Sequence, residues 1–522
     1  MNTTTEPSSI PSRSGIESAH IPHVTHLLGG KFLAKNTIWN LVGQVLPMLI
    51  GVAALPPLVK GLGIDRFGVL SLAWIIVGYF SFFDFGAGRA LTKIVADKVG
   101  NEEQRNLPAT VWTSLFLMAG FGTIGAAVAL MCCSPLARAL KIPVGLQRES
   151  LIVFRLLAVS IPIVTVSSGL RGVLEAKQRF SVLTLIRVPS SAFSFIGPLL
   201  VLPFSKSLVP MVFVLMLGRL AGLVAHFVAC VREMPSLLKS CVLDRSTIRD
   251  VIKFGGWMTV SNIVGPIMTY LDRFFIGAML SVSAVSYYTA PFDMATRLLL
   301  IPASLTGVLF PALSMSLARG SERTAILLGR SEKYLYCALF PLVLMLVAFS
   351  PEGLRLWLGQ SFAANGAGVL RWIVAGVFVN SLAQIPFSLI QSAGKPEITA
   401  RLHLMELPIY LGAVWVLTSH FGIEGTAIAW TGRTILDAVL LFSMAHHVWP
   451  RGTGVMFKLG TAIAAGLFAL YLSTLGSLFV RAAVVMLLVL GLGLSIWFFG
   501  STDTERNMLM TALNLRTQAN KH

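Results

Sequence analysis

The residues of this chain best able to do chemistry sit where they are most costly to place. Arg155, Arg187, Arg219, Arg273, Arg297, Arg371 and Arg433, with Asp84, Asp272, Asp293, Glu406 and Asp437, all interrupt long apolar runs. An ionisable group at the centre of a bilayer costs about 2.5–3.5 kcal/mol on insertion scales, so such residues face partners, cavities or substrates rather than lipid. Helical spacing supplies some partners. Asp293 and Arg297 stand four apart, as do Arg433 and Asp437, so each couple shares a helix face. Asp272 and Arg273 are neighbours and are expected to point in different directions. Arg155 and Arg371 lie near run ends, from which they can snorkel to the interface. Arg187 and Arg219 lie near mid-run with no acid three or four residues away, and Glu406 offers Arg187 a partner only across the bundle.

Guanidinium groups grip phosphate oxygens in a fork and stay charged at any pH. An excess of buried arginine therefore suits an anionic cargo, whereas a carrier of organic cations would need an acidic cavity. On this reading Arg187, Arg219, Arg273, Arg297 and Arg433 are the candidate substrate contacts. Asp84, Asp293 and Glu406 are the candidate gating or coupling groups, with neither proton nor sodium singled out. Trp257, Tyr270, Tyr287 and Tyr288 could stack on sugar rings, or anchor helix ends at the interface as aromatics commonly do.

The elements that must position these groups are membrane spans. Of 522 residues, 55% are hydrophobic and only 12% charged, and the mean hydropathy is +0.77. A soluble chain would carry about 25% charged residues. Each run of about 20 apolar residues can cross a hydrocarbon core about 30 Å thick. The runs do not alternate, which excludes a transmembrane β-barrel. Fourteen helical spans are expected near 38–58, 67–88, 109–131, 151–173, 182–203, 207–230, 254–279, 285–312, 333–350, 367–392, 402–420, 423–447, 455–475 and 478–499. Lys and Arg collect in alternate loops, which places both termini in the cytoplasm. The same rule accounts for the net charge of +18 without nucleic acid.

Landmarks repeat along the chain. Trp39 matches Trp257, Leu62 matches Leu280, and Ile64–Phe67 matches Val282–Val285, all at an offset of 218. Gly218-Arg219 matches Gly432-Arg433 at an offset of 214. An even repeat of six helices inserts both halves in the same direction, with a substrate site expected between them near the midplane. The expected organisation is a cytoplasmic tail 1–36, a six-helix lobe 37–231, a linker 232–253, a second lobe 254–450, two extra helices in 451–500 and a tail 501–522.

Several chemistries are missing from the sequence. There is no Walker loop, zinc signature or nucleophile elbow. The adjacent Cys132 and Cys133 do not suggest a disulfide framework. His20, His23 and His26 lie in a polar tail and are not read as a metal site. No cofactor is expected. The outside loops are too short for the catalytic domain of a membrane polysaccharide polymerase or ligase.

Three stretches in the first half resemble the polysaccharide flippases of the O-antigen transporter type: Asn36-Thr37-Ile38-Trp39-Asn40, Gly61-Leu62-Gly63 and Phe83-Asp84-Phe85-Gly86-Ala87-Gly88. In the second half, Phe254-Gly255-Gly256-Trp257, Tyr270-Leu271-Asp272-Arg273 and Leu309-Phe310-Pro311-Ala312-Leu313-Ser314 agree. These flippases belong to the MOP superfamily, together with lipid II flippases and MATE multidrug exporters. The resemblance implies an all-α, two-lobed bundle that alternates access across a bacterial inner membrane. It also implies an oligosaccharide on a polyprenyl diphosphate as substrate, membrane lipids around it, and polymerase and chain-length proteins as further partners. A MATE-like cation antiporter is the nearest alternative. The pair near 455–499 exceeds the simplest twelve-helix pattern, and the lipid II flippases suggest a place for it along the lipid tail.

Overall fold

The computed structural model describes residues 30–79, 87–100, 107–177, 179–238, 242–244, 247–249, 251, 268, 270–319, 321–450 and 453–495. Asp84, Trp257, the three tail histidines and both expected tails beyond these limits lie outside the described residues.

The first lobe contains α1 (Gly30–Leu62), α2 (Ile64–Tyr79), α3 (Ala87–Gly100), α4 (Leu107–Ala139), α5 (Val144–Val159), α6 (Ile161–Ala176), α7 (Phe180–Val201) and α8 (Leu208–Glu233). The second contains α9 (270–279), α10 (Val282–Thr296), α11 (Leu300–Arg319), α12 (Ser321–Ala348), α13 (Ser350–Leu358), α14 (Gln360–Ser392) and α15 (Pro396–Val448). Two further helices follow, α16 (Thr453–Leu472) and α17 (Leu478–Ser495). Where the expected spans are described they are helical apart from short turns at their ends and breaks. Among the described residues, eight helical segments are long and apolar enough to cross a membrane unaided. Some of the expected spans are broken, for identifiable reasons.

The span expected at 151–173 is α5 and α6 joined at Ser160, with Pro162 in the first turn of α6. That proline lacks the amide that would continue the ladder. The spans at 402–420 and 423–447 are the two arms of α15, folded back at Gly422, whose φ of 60° and ψ of −140° suit only glycine. Thr418 and Thr426 hydrogen-bond across this turn at 2.7 Å. The span at 285–312 is interrupted by a 3₁₀ turn, Arg297–Leu299, between α10 and α11. Of the expected second span, 67–88, α2 covers residues 67–79, and residues 80–86 lie outside the described residues.

Outward faces are apolar: Ile124, Met131, Leu185, Trp415 and Leu487 are all more than half exposed. In water such a surface would aggregate; in a bilayer it is the lipid face. The core of the second lobe forms around α14, whose Ile373, Val374, Val377 and Phe378 are wholly buried. The molecule is an all-α, polytopic membrane protein of about fourteen spans in two lobes, with an extra helical pair at the C-terminal end.

Contact between the lobes concentrates at one end, on α2 against α10 and α1 against α13. Ser283 donates to Asp65, and Ser286 donates to the Ile64 carbonyl at 2.7 Å. A side chain on Gly68 would run into the Val282 carbonyl. Nearby, the Lys141 amide bonds the Gly277 carbonyl at 2.9 Å and the Trp357 indole donates to the Val52 carbonyl at 2.9 Å. Asp65 and Ser283 are separated by 218 residues, the offset of the internal repeat. Repeat mates touch each other only beside a pseudo-twofold axis, so that axis passes between α2 and α10.

Candidate functional site

Away from that contact the lobes part around a cavity of about 740 Å³. The first lobe contributes Pro47 and Met48 from α1 and Arg187, Ser191 and Phe195 from α7. The second contributes Tyr270 from α9, Phe292, Asp293 and Thr296 from α10, Asn380 from α14, and Trp430 and Arg433 from α15. The 3₁₀ turn adds Arg297 and Leu299, and Leu300 follows. Irregular backbone at membrane depth is tolerated where it lines a cavity rather than lipid, which is where this turn lies. Three arginines and one aspartate thus share the wall, between aromatic faces and the uncharged polar side chains of Ser191, Thr296 and Asn380, which can bond hydroxyls.

The second lobe holds its arginines among acids. Arg273 is wholly buried. Its Nη1 donates to Asp272 Oδ1 at 3.1 Å, its Nη2 lies 3.6 Å from Asp293 Oδ1, and its guanidinium sits 4.1 Å from the Phe292 ring centroid. Asp272 also accepts from the buried Tyr288 hydroxyl at 2.6 Å. The expectation that Asp272 and Arg273 diverge is therefore wrong: the arginine side chain curls back onto its neighbour because burial leaves it no other strong acceptor so close. Asp293 reaches Arg273 as well as the cavity, where its side chain is 44% exposed. Arg273 stands behind the cavity wall and braces Asp293. Tyr288 belongs to the same buried cluster and to neither a sugar platform nor an interface.

A second cluster joins the two arms of α15. Arg433 lies 4.0 Å from Glu406, and Asp437 Oδ1 lies 3.6 Å from His403 Nε2. Glu406 thus faces Arg433 rather than Arg187, because Gly422 folds its arm directly against the one carrying Arg433. Asp437, four residues from Arg433, turns to the opposite arm. The Arg433 guanidinium also sits 5.5 Å from the Tyr410 ring centroid. Glu406 is 2% exposed, and neither of its carboxylate oxygens has a hydrogen-bond partner among the described residues.

A further chamber of about 690 Å³ lies within the first lobe, between α6, α7 and α8. Arg187 and Ser191 line it as well as the central cavity, and Arg219 and His226 line it alone. Of the five arginines singled out by the sequence, Arg187, Arg297 and Arg433 thus meet at the central cavity. Arg219 opens on the chamber behind Arg187, and Arg273 is buried. Of the acids, Asp293 lines the cavity and Glu406 lies behind Arg433. The roles of Asn380, Trp430 and Phe195 left no mark in the sequence. The α7 stripe did: Thr184, Arg187, Ser191 and Ser194 recur every three to four residues in an otherwise apolar helix, the spacing of one polar face. Gly218 and Gly222 of α8 leave room for Phe193 and Ser190 of α7, respectively, so this GxxxG serves close packing.

Similarity to known proteins agrees with this architecture. Residues 33–317 match the family model described as polysaccharide biosynthesis protein. The chain is 32% identical over 415 residues to a Shigella flexneri protein that carries the name of an O-antigen transporter, covering 78% of this chain and 96% of that one. It is 22% identical to the uncharacterized membrane protein EpsK of Bacillus subtilis strain 168, over 75% of this chain and 78% of that one. Among solved structures, an inward-facing multidrug MATE transporter of the MOP superfamily superposes with a TM-score of 0.65 at 13% identity, over 82% of this chain and 99% of the other. An outward-facing one gives 0.57 at 15%, over 81% and 96%. A Pyrococcus furiosus MOP transporter whose title notes a reversed polarity of its binding pocket also gives 0.57, at 14%, over 82% and 96%. With more than half its length on the family model and a relative above 30% identity matched almost end to end, the chain belongs to the polysaccharide biosynthesis protein family, and its fold is that of the MOP transporters.

Proposed function

We propose that the chain translocates an oligosaccharide carried on a polyprenyl diphosphate across the inner membrane, for assembly of a surface or exported polysaccharide. The observation that carries this reading is the central cavity, where Arg187, Arg297 and Arg433 converge from both lobes beside Trp430, Tyr270 and Asn380. The diphosphate is a doubly charged cargo that fixed guanidinium groups grip in forks. The aromatic faces and the amide suit the sugars. Arg273 serves the same site indirectly, by holding Asp293. A cavity with this excess of arginine repels the cationic drugs of the MATE-like alternative.

The mechanism follows from the lobes. The loop charges put the end that carries 140–143, 280–281 and Gly359 on the outside of the membrane. The lobes touch at that end, so the cavity stands open to the cytoplasm, in keeping with the higher TM-score to the inward-facing relative. The headgroup enters between the lobes while its polyprenyl tail stays in lipid. Parting of α2 from α10, with rocking about the axis between them, then exposes the cavity outward. The 3₁₀ turn at Arg297 is a natural flexing point within this motion. Asp293 and Glu406 are the gating and coupling groups: Glu406 faces the cavity arginine Arg433, which proton uptake would free for the diphosphate, and Asp293 links the cavity wall to the buried Arg273. Both termini are cytoplasmic, and the domain limits follow the repeat, with lobes at 37–231 and 254–450. Polymerase and chain-length proteins are the partners such a transporter would serve.

The test is genetic and chemical. Cells lacking the gene should accumulate the lipid-linked oligosaccharide and lose surface glycan, with both restored by the wild-type chain. Normal pools of both would contradict the reading, and efflux of cationic dyes would then be the activity to measure.

A further inference from the structure

The chamber inside the first lobe has a charge balance different from that of the central cavity. In the second lobe Arg273 and Arg433 each meet an acid. In α6, α7 and α8 the only acids are Glu175 and Glu233, and these are engaged with Arg171 at 3.5 Å and Arg179 at 2.9 Å. No carboxylate of these three helices is left to cancel Arg219. Its Nη1 is buried and lacks a hydrogen-bond partner among the described residues. An unmatched guanidinium nitrogen inside a membrane lobe is expensive, and an anionic ligand would relieve that cost.

The remaining lining fits a sugar next to that anion. Ser190 donates its hydroxyl proton to the Ile186 carbonyl at 2.8 Å, and Ser194 to the Ser190 carbonyl at 3.2 Å. Both oxygens keep lone pairs that can accept from sugar hydroxyls. His226 Nδ1 lies 2.7 Å from the Gly222 carbonyl, which can only accept, so Nδ1 carries the proton and Nε2 is left as an acceptor. Phe193 supplies a ring face. The volume of about 690 Å³ is in the ordinary range for a ligand pocket. The exposed Arg171–Glu175 pair lies at its rim, on the α6 end away from the contact between lobes. Arg187 lines the chamber on one side and the central cavity on the other.

We propose that the chamber between α6, α7 and α8 is a separate loading station, where Arg219 receives the diphosphate of the lipid-linked saccharide before Arg187 passes it to the central cavity. This rests on the function proposed above. It adds a second binding site in series, so that cargo is captured before the lobes move.

The purified full chain in lipid nanodiscs, titrated with farnesyl diphosphate by calorimetry, tests both levels. Two saturable sites are expected. Arg219→Gln should weaken one by about tenfold or more and spare the other, and Arg433→Gln should do the reverse. Ser194→Trp, which fills the chamber without touching a charge, should abolish the Arg219 site as well, and serves in its place if Arg219→Gln does not fold. Inorganic pyrophosphate should displace farnesyl diphosphate from the Arg219 site. Displacement by farnesol instead would make the chamber a tail pocket and overturn the proposal. A single site that responds to Arg433→Gln and ignores both Arg219→Gln and Ser194→Trp would overturn the station while leaving the transport function in place. No saturable binding by the wild type would remove both.

Discussion

Arg273 and Arg297 are the same residue type on successive segments of one lobe, and packing gives them opposite duties. Arg273 is wholly buried, tied to Asp272 and Asp293 and sandwiched by aromatic rings. Arg297 stands exposed in the cavity wall on a 3₁₀ turn. Removing one partner of a buried ion pair strands the other and costs about 3–5 kcal/mol. Arg273→Met should therefore lower the amount of folded protein and its unfolding temperature in detergent, whereas Arg297→Gln should leave both unchanged and reduce glycan export. Equal protein levels in the two variants would mean that Arg273 is not a brace. Arg187→Lys makes a finer test. It keeps the charge but loses the planar fork, so transport should fall severalfold while the fold persists. The sequence located all three arginines by their improbable depth in apolar runs. It could not show which of them faced the cavity, because Asp272, adjacent to Arg273 in sequence, was judged by helical direction alone, and the i,i+4 rule favoured Asp293–Arg297 over Asp293–Arg273. Both choices depend on how α9 and α10 pack.

At the scale of elements, the outer contact of α2 with α10 depends on a residue without a side chain. A larger group on Gly68 would meet the Val282 carbonyl, so Gly68→Leu should hold the lobes apart at that end. A cysteine-specific reagent applied from outside should then label a cysteine introduced at Ser191 in the variant and not in the wild-type background. Equal labelling would show that this contact is no gate. A polar clasp ties the C-terminal pair to the second lobe: Arg481 donates from Nη2 to Glu352 at 2.6 Å and from Nη1 to the Ala348 carbonyl at 2.6 Å. The Arg481 hydrogen bond holds the Glu352 carboxyl below its ordinary pKa. A carboxylate with a lowered folded-state pKa stabilises above its unfolded value, near pH 4.3, and that contribution is lost as pH falls through the folded value. Protection of the α17 amides, relative to the intrinsic exchange rate at each pH, should therefore be unchanged between pH 8 and 6 and should fall only in stronger acid, while Glu352→Gln should lower it throughout. The expected spans were legible because length and hydropathy leave a membrane helix few alternatives. The breaks at Ser160, Gly422 and Arg297 were less so, since they depend on where neighbouring helices can satisfy a freed backbone group.

Viewed whole, the molecule is a duplicated bundle whose pseudo-twofold axis is marked by the contact of Asp65 with its repeat mate Ser283. The duplication was readable at an offset of 218 from Trp39, Leu62 and Ile64. The division of charge between the lobes was not, because Glu406 meets Arg433 through a hairpin that composition does not reveal. The consequence is an asymmetric bundle: Arg273 and Arg433 meet acids in the second lobe, whereas in the first Arg219 keeps a buried guanidinium nitrogen with no hydrogen-bond partner among the described residues. The central claim is that this cavity moves a diphosphate-linked saccharide, and the most direct measurement is translocation by the purified chain in proteoliposomes, using a short-chain polyprenyl diphosphate bearing a labelled sugar. The wild type should carry label to the opposite leaflet within minutes, and the Arg187→Gln/Arg433→Gln double variant, inserted at equal density, should fall to the rate of empty vesicles. Equal rates in wild type, double variant and empty vesicles would contradict the account.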